Sequence, residues 1–501
     1  MQRRRFLELA AATGTFASLG DLGFLSRLPL VSAAESRVDS KLVRFHPDIE
    51  PLVRLLEETS RERVLEEVAA RIRGGLTYRN LIAALLLAGV RNIQPHPVGF
   101  KFHAVLVVNS AHLASVASPD SDRWLPIFWA IDQFKSSQAA DVRAGDWSLG
   151  PVDESLVPPS HNARQAFIDA MDNWDEAAAD AAIAGLARTT GAQEIFPILA
   201  RYGARDFREI GHKEIYVANS FRTLQVIGWQ YAEPVLRSVA YGLLDREGAR
   251  ENPAHADLPA DRPYRDNLQA VSRIRANWLD AQPSSDATTE MLQTLRDESP
   301  RAASDKAIAL LNRGVAAESL FDAFFEGSAE LMMRAPGILS LHATTFTNAL
   351  HYAYRHCRDE EARKLLLLQN AAFLPLFRGN PKQGVKIDTF EPAPLESAGP
   401  TAIEEIFGDI NRDRLTAARK VLAFLKDNPD PRPLADAARR LIFLKGTDSH
   451  DYKYSSAVLE DYAIMAPPRR DRYLAAATFY LKGSAAADNQ LVQRARAALS
   501  G

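Results

Sequence analysis

Apolar residues recur every three or four positions through most of this chain. Arg61 to Gly89, Trp174 to Gly203, Ala302 to Gly327 and Pro433 to Gly446 carry the pattern most clearly, and alternating runs of the β type are few. Ala and Leu are abundant and β-branched runs are short, which favours helix on propensity as well. The chain is therefore expected to be all-α. Three polar stretches interrupt the pattern and read as loops: Asp141 to His161, Glu247 to Pro300 (with a short helix around Leu268–Ala281) and Arg378 to Pro400.

The four apolar segments correspond to one another. Each ends in a glycine (Gly89, Gly203, Gly327, Gly446) that reads as a helix stop. The first three also carry an earlier glycine (Gly75, Gly191, Gly314) that marks a turn between two helices. Behind each terminal glycine comes a short variable loop and then a histidine opening another helix: His103, His212, His342 and His450. An asparagine follows six or seven residues later in the first three (Asn109, Asn219, Asn348). H-A-x4-N-[SA]-x-H fits both His103 to His112 and His342 to His351. Four matches in order argue for repeated units, spanning approximately 52–140, 162–246, 300–377 and 402–484. These would stack as a toroid or a solenoid-like array with long loops.

A closed or strongly curved array turns equivalent residues toward one cavity. Four neutral imidazoles converging there would make a transition-metal site, and iron, copper, zinc and nickel all fit, with iron favoured. His103, His212, His342 and His450 are thus the candidate catalytic residues and metal ligands. Asn109, His112, Glu214, Asn219, Asn348, His351, Asp451 and Lys453 are candidate supporting residues, the two carboxylates as ligands or as partners that fix an imidazole tautomer. A metal-free site using the imidazoles as acids and bases is an alternative. So is a purely structural role for each histidine at its helix start. An open array would spread them along a HEAT-like scaffold that binds a partner and catalyses nothing. Trp124, Phe128, Trp129 and Phe134 read as core.

Composition narrows the classes. The 501 residues carry 60 Lys+Arg against 63 Asp+Glu, with 47% hydrophobic residues, a core-forming balance with no basic footprint for nucleic acid. The single cysteine, Cys357, excludes an internal disulfide and cysteine zinc frameworks, so the eleven histidines must carry any transition-metal site. GxSxG, HExxH, P-loop and Rossmann fingerprints are absent.

The first residues read as an address. Arg3-Arg4-Arg5-Phe6-Leu7 resembles the twin-arginine export signal, with Arg3, Arg4, Phe6 and Leu7 its marked positions. A mild apolar stretch and a small-residue site at Ser32-Ala33-Ala34 follow. Residues 1–34 are expected to be a cleaved signal peptide read by the twin-arginine translocase, and 35–501 a single helical domain, periplasmic or secreted. No later segment is an uninterrupted apolar run of spanning length.

The histidine segments resemble the questin oxidase-like family. Leu341-His342-Ala343-Thr344-Thr345 with Ala349-Leu350 is similar to its L-H-x-x-T-x-x-x-A-L segment, and Asp448-Ser449-His450-Asp451-Tyr452-Lys453 to its D-x-H-x-x-K segment. Phe102-His103 through His112 and Gly211-His212 are similar to its earlier ones. The resemblance implies a helical oxidoreductase acting on an aromatic or carbonyl small molecule. It also implies a link to NADPH, for which this sequence has no dinucleotide fingerprint. A hydrolase or lyase using the same pocket without redox chemistry is a further alternative.

Overall fold

The computed structural model describes residues 41–246, 249–379 and 384–500. The segment with Arg3, Arg4, Phe6 and Leu7 lies outside them. Among the described residues there are 22 α-helices and no strand, only an isolated bridge between Gln282 and Val315. The all-α expectation holds.

Numbered along the chain, α1 (Glu50–Glu58) and α2 (Val64–Arg73) precede α3 (Tyr78–Asn92), α4 (His103–Val116) and α5 (Leu125–Ala144). Then come α6 (Ala163–Asn173), α7 (Glu176–Thr189), α8 (Ala192–Gly203), α9 (His212–Ile227), α10 (Ala232–Leu243), α11 (Arg262–Ala270), α12 (Ser285–Asp297) and α13 (Pro300–Asn312). The remainder are α14 (Ala317–Arg334), α15 (Ile338–His356), α16 (Glu360–Arg378), α17 (Pro400–Asp409), α18 (Arg414–Asp427), α19 (Arg432–Lys445), α20 (Ser449–Ile464), α21 (Pro467–Ala476) and α22 (Gln490–Ser500).

The centre is a closed circle of four helices. α4 packs on α9, α9 on α15, α15 on α20, and α20 on α4. Each is flanked by its own sequence neighbours: α3 and α5 around α4, α8 and α10 around α9, α14 and α16 around α15, α19 and α21 around α20. Being enclosed, the inner helices are buried over long stretches on every face, α9 and α20 with charged residues among them. In α4 every residue from His103 to Ala111 is buried, and in α15 every residue from Ser340 to Tyr354. α22 returns to pack on α2 and α5, with Arg494 paired to Glu66 at 2.8 Å, so the two ends of the described chain meet.

Several local expectations change. Gly89 and Gly327 do not stop helices; they lie inside α3 and α14. A Cβ at Gly89 would stand 2.9 Å from Val105, and one at Gly327 would stand 3.2 Å from Leu295, so these glycines permit close helix packing. Gly203 ends α8 and Gly446 follows α19 as expected. Gly75 and Gly314 make their turns with φ of 96° and 89°. The stretch Glu247 to Pro300 holds α11 and α12 rather than one helix at Leu268–Ala281. Ser284 caps α12 by accepting from the Ala287 amide, and Met291, Leu292 and Leu295 bury its apolar stripe.

Candidate metal centre

Three turns deliver three imidazoles to one point. His103 is the first residue of α4, entered through a 3-10 turn at Phe100–Phe102; His212 is the first of α9, entered through Arg208–Gly211. His342 sits one turn inside α15. The entries differ in phase, so the histidines share a destination and not a common helix position. All are buried, at 8%, 4% and 1% exposure.

Each Nδ1 is committed to a backbone carbonyl: His103 to Phe100 at 2.8 Å, His212 to Glu209 at 2.6 Å and His342 to Ile338 at 2.7 Å. A carbonyl only accepts, so each Nδ1 carries the hydrogen and each Nε2 presents a lone pair. The Nε2 atoms converge: His212 stands 2.9 Å from that of His103 and 2.8 Å from that of His342, and all three lie within 4.8 Å of one another. Facing lone pairs at this range repel unless a cation lies between them. A proton on one imidazole would serve only one of the two contacts. Burial, the largest cause, pushes all three far below the usual imidazole range, and Lys453 and neighbouring imidazoles push the same way. The inner helices run parallel with their N-termini at this end, and their positive dipole ends further disfavour imidazolium.

The backbone is strained where it delivers these rings. Of five non-glycine residues with positive φ among the described residues, three precede the histidines: Phe100 (50°), Glu209 (54°) and Ile210 (45°). Buried ion pairs hold the second turn. Arg208 pairs with Asp261 at 2.6 Å, and Lys213 donates to Asp206 at 2.8 Å, while Asp206 also accepts from the Arg208 amide. Gly211, at φ 87°, lies against Phe346, where a Cβ would come within 2.6 Å of the ring.

His450, the second residue of α20, stands beside the trio but outside the convergent set. Its ring centre is 4.5 Å from that of His103 and 5.3 Å from that of His342. Its Nδ1 faces Asp448 Oδ1 at 3.2 Å, and its Nε2 is buried without a partner. One turn further along α20, the Lys453 Nζ is also buried without a partner, and burial pulls its ammonium down to about 7.

Beyond Lys453 a small pocket lies between the inner helices, lined by Asn109, Asn219, Arg222, Asn348 and Glu460 among others. Asn219 donates to the Leu106 carbonyl at 2.9 Å, and Asn109 approaches Asn219 at 3.5 Å. Arg222 donates to Asn348 at 3.1 Å and to Glu460 at 2.8 Å; Asn348 donates to Asp461 at 2.7 Å, which accepts from Tyr473 at 2.9 Å. The three asparagines therefore line the axis as a group. Arg222, Glu460, Asp461 and Tyr473 were not among the candidates. Arg222 and Glu460 each lie ten residues after a flagged histidine, so extending the helical phase by one more turn would have reached them.

Four supporting candidates lie elsewhere. His112 points outward from α4 to the Tyr78 hydroxyl at 3.0 Å. His351 is buried against Phe321 and Phe325 on the outer side of α15, and burial takes it down to about 3. Both stand three residues after an axial asparagine, as Arg222 does after Asn219, yet their rings turn to Tyr78 and to Phe321 and Phe325 instead. Glu214 is directed at Gly203 of α8, where its carboxyl has no hydrogen-bond partner and burial pushes it far above the usual range. Asp451 belongs to a capping box: it accepts from the Thr447 amide at 2.9 Å and pairs with Lys482, fixing the start of α20. No protein-family model matches the chain, and neither a curated protein nor a solved structure matches it.

Proposed function

We propose that this protein is an exported, metal-dependent oxidoreductase acting on an aromatic or carbonyl small molecule, with His103, His212 and His342 as the metal ligands. The observation that carries the reading is the meeting of three Nε2 lone pairs, that of His212 standing 2.9 Å from His103 and 2.8 Å from His342 with all three within 4.8 Å, each fixed in tautomer by a carbonyl on its Nδ1. Such carbonyl partners are the usual orienting groups of metal-bound imidazoles. Iron, copper, nickel and zinc all accept imidazole nitrogen, and a redox reaction calls for iron or copper rather than zinc. Three protein ligands leave positions open for exogenous groups.

The apolar substrate has support at the same end of the molecule. Phe100, Ile338 and Leu339 are 75%, 47% and 51% exposed, and the carbonyls of the first two orient His103 and His342. Large apolar side chains exposed beside a polar centre fit an apolar molecule approaching it. The motifs around His342 and His450 that resemble the questin oxidase-like family point to the same class, and the arginine pair at residues 3–4 supports export. A non-catalytic scaffold would have no use for imidazoles brought to a common point.

Metal analysis of protein purified from an export-competent host tests the proposal, alongside oxidation assays with polycyclic aromatic ketones. One equivalent of a redox-active metal is expected, lost together with turnover in His212→Ala. Metal-free wild type that takes up no iron or copper on reconstitution would overturn it.

A further inference from the structure

We propose that Lys453 and His450 form a subsite for a small oxygen-donor or anionic ligand of the tri-imidazole centre, water-to-azide in size. The inference rests on the metal reading above and adds the ligand that a centre with three neutral protein donors requires.

The two side chains are complementary orphans. Lys453 is 3% exposed, and its Nζ, which as an ammonium can only donate, has no hydrogen-bond partner. The Asp448 carboxylate faces Nδ1 of His450 at 3.2 Å, and the buried Nε2, an acceptor in the neutral ring with its hydrogen on Nδ1, has no partner. One group thus calls for a lone pair and the other for a hydrogen. Water, hydroxide and hydroperoxide supply both; azide and formate satisfy the donor. Leaving a buried ammonium or imidazole nitrogen unpaired is costly, and a bound ligand removes that cost.

Charge points the same way. The three ligands are neutral imidazoles, Lys453 acts electrostatically on each of them, and four helix N-termini face this end. Of the carboxylates beside these groups at the start of α20, Asp448 is engaged by His450 and Asp451 by Lys482 and the Thr447 amide. A metal cation placed here would lack any negative counterpart from the protein ligands, so a bound anion completes the balance. Size sets the class. The small pocket that Lys453 lines with Asn109, Asn219 and Asn348 admits water-sized groups but no aromatic ring.

Azide titration of the copper-loaded full-length protein, followed by its ligand-to-metal absorption, tests this. Wild type is expected to bind azide, formate to compete and benzoate to fail. Lys453→Met should weaken azide about tenfold or more at unchanged copper stoichiometry, the loss of one charge-assisted hydrogen bond, and Lys453→Gln, which keeps a donor, should fall between. Copper-loaded wild type that does not bind azide, equal azide affinity in Lys453→Met, or benzoate competing as well as formate would each overturn the subsite. Should Lys453→Met not load copper, Lys453→Gln is read by the same criterion, and the formate–benzoate comparison on wild type decides independently of either variant. Failure of wild type to load copper at all would instead strike the metal reading.

Discussion

An imidazole whose Nδ1 hydrogen is held by a carbonyl has one lone pair left to offer, and His103, His212 and His342 offer theirs to one another's space. Histidine-selective NMR of the apo protein should therefore show three Nδ1–H neutral rings that do not titrate between pH 8 and 5. The linkage follows in sign. Their native pKa lies far below the unfolded value of about 6.5, so below that pH the unfolded chain binds protons that the native one does not, and each imidazole lowers stability as pH falls, by up to about 1.4 kcal/mol per pH unit. Buried carboxyls held protonated, such as Glu214 and Asp461, act in the opposite direction. The contribution is thus read as a difference: stability of His212→Asn should fall less steeply between pH 6.5 and 5 than that of wild type. Ring protonation near pH 6.5 in the native state would contradict the assignment. The histidines were legible because each stands behind a helix, a glycine and a loop. Helical phase from the histidines points to Arg222 and Glu460, but their pairing with Asn348 and with each other, and the part of Asp461 and Tyr473, depend on which helices meet, which the phase of one helix does not carry.

At the scale of elements, the turn before α9 matters most. Glu209, Ile210 and Gly211 all have positive φ, a conformation the buried Asp206–Lys213 and Arg208–Asp261 pairs must sustain. Asp206→Ala removes one partner from a buried pair, which typically costs about 3–5 kcal/mol. The expected result in chemical denaturation is a loss of that order, accompanied by weaker metal binding. Gly211→Ala, which both needs positive φ and drives a methyl into Phe346, should destabilise by about 1–3 kcal/mol and impair metal uptake as well. Wild-type metal affinity in both variants would show that this turn does not position His212. Helix content was readable from periodicity, yet helix ends were less so. Gly89 and Gly327 carry the composition of a stop and serve packing instead, a distinction that depends on Val105 and Leu295, residues supplied by other helices.

For the whole molecule, four parallel inner helices close on each other, each between the helices that precede and follow it. The expectation left closed and open arrays as alternatives, because a repeat in sequence specifies neighbours but not the rotation between them; that rotation is set by packing such as α20 against α4. The axial network spans three of these helices through Arg222, Asn348 and Asp461. Asp461→Ala leaves the buried Tyr473 hydroxyl without its acceptor and takes one of two acceptors from the Asn348 amide, which keeps Glu460, and a loss of about 1–3 kcal/mol is expected in thermal or denaturant unfolding. A neutral effect would mean that the network does not help to hold the circle closed.

X-ray absorption at the metal edge of the reconstituted protein reads the central claim most directly. Three imidazole nitrogens at about 2.0–2.1 Å from a single ion per chain are expected, with the imidazole signal reduced in His212→Ala. A metal bound through oxygen donors alone, or an unchanged imidazole shell in that variant, would contradict the account.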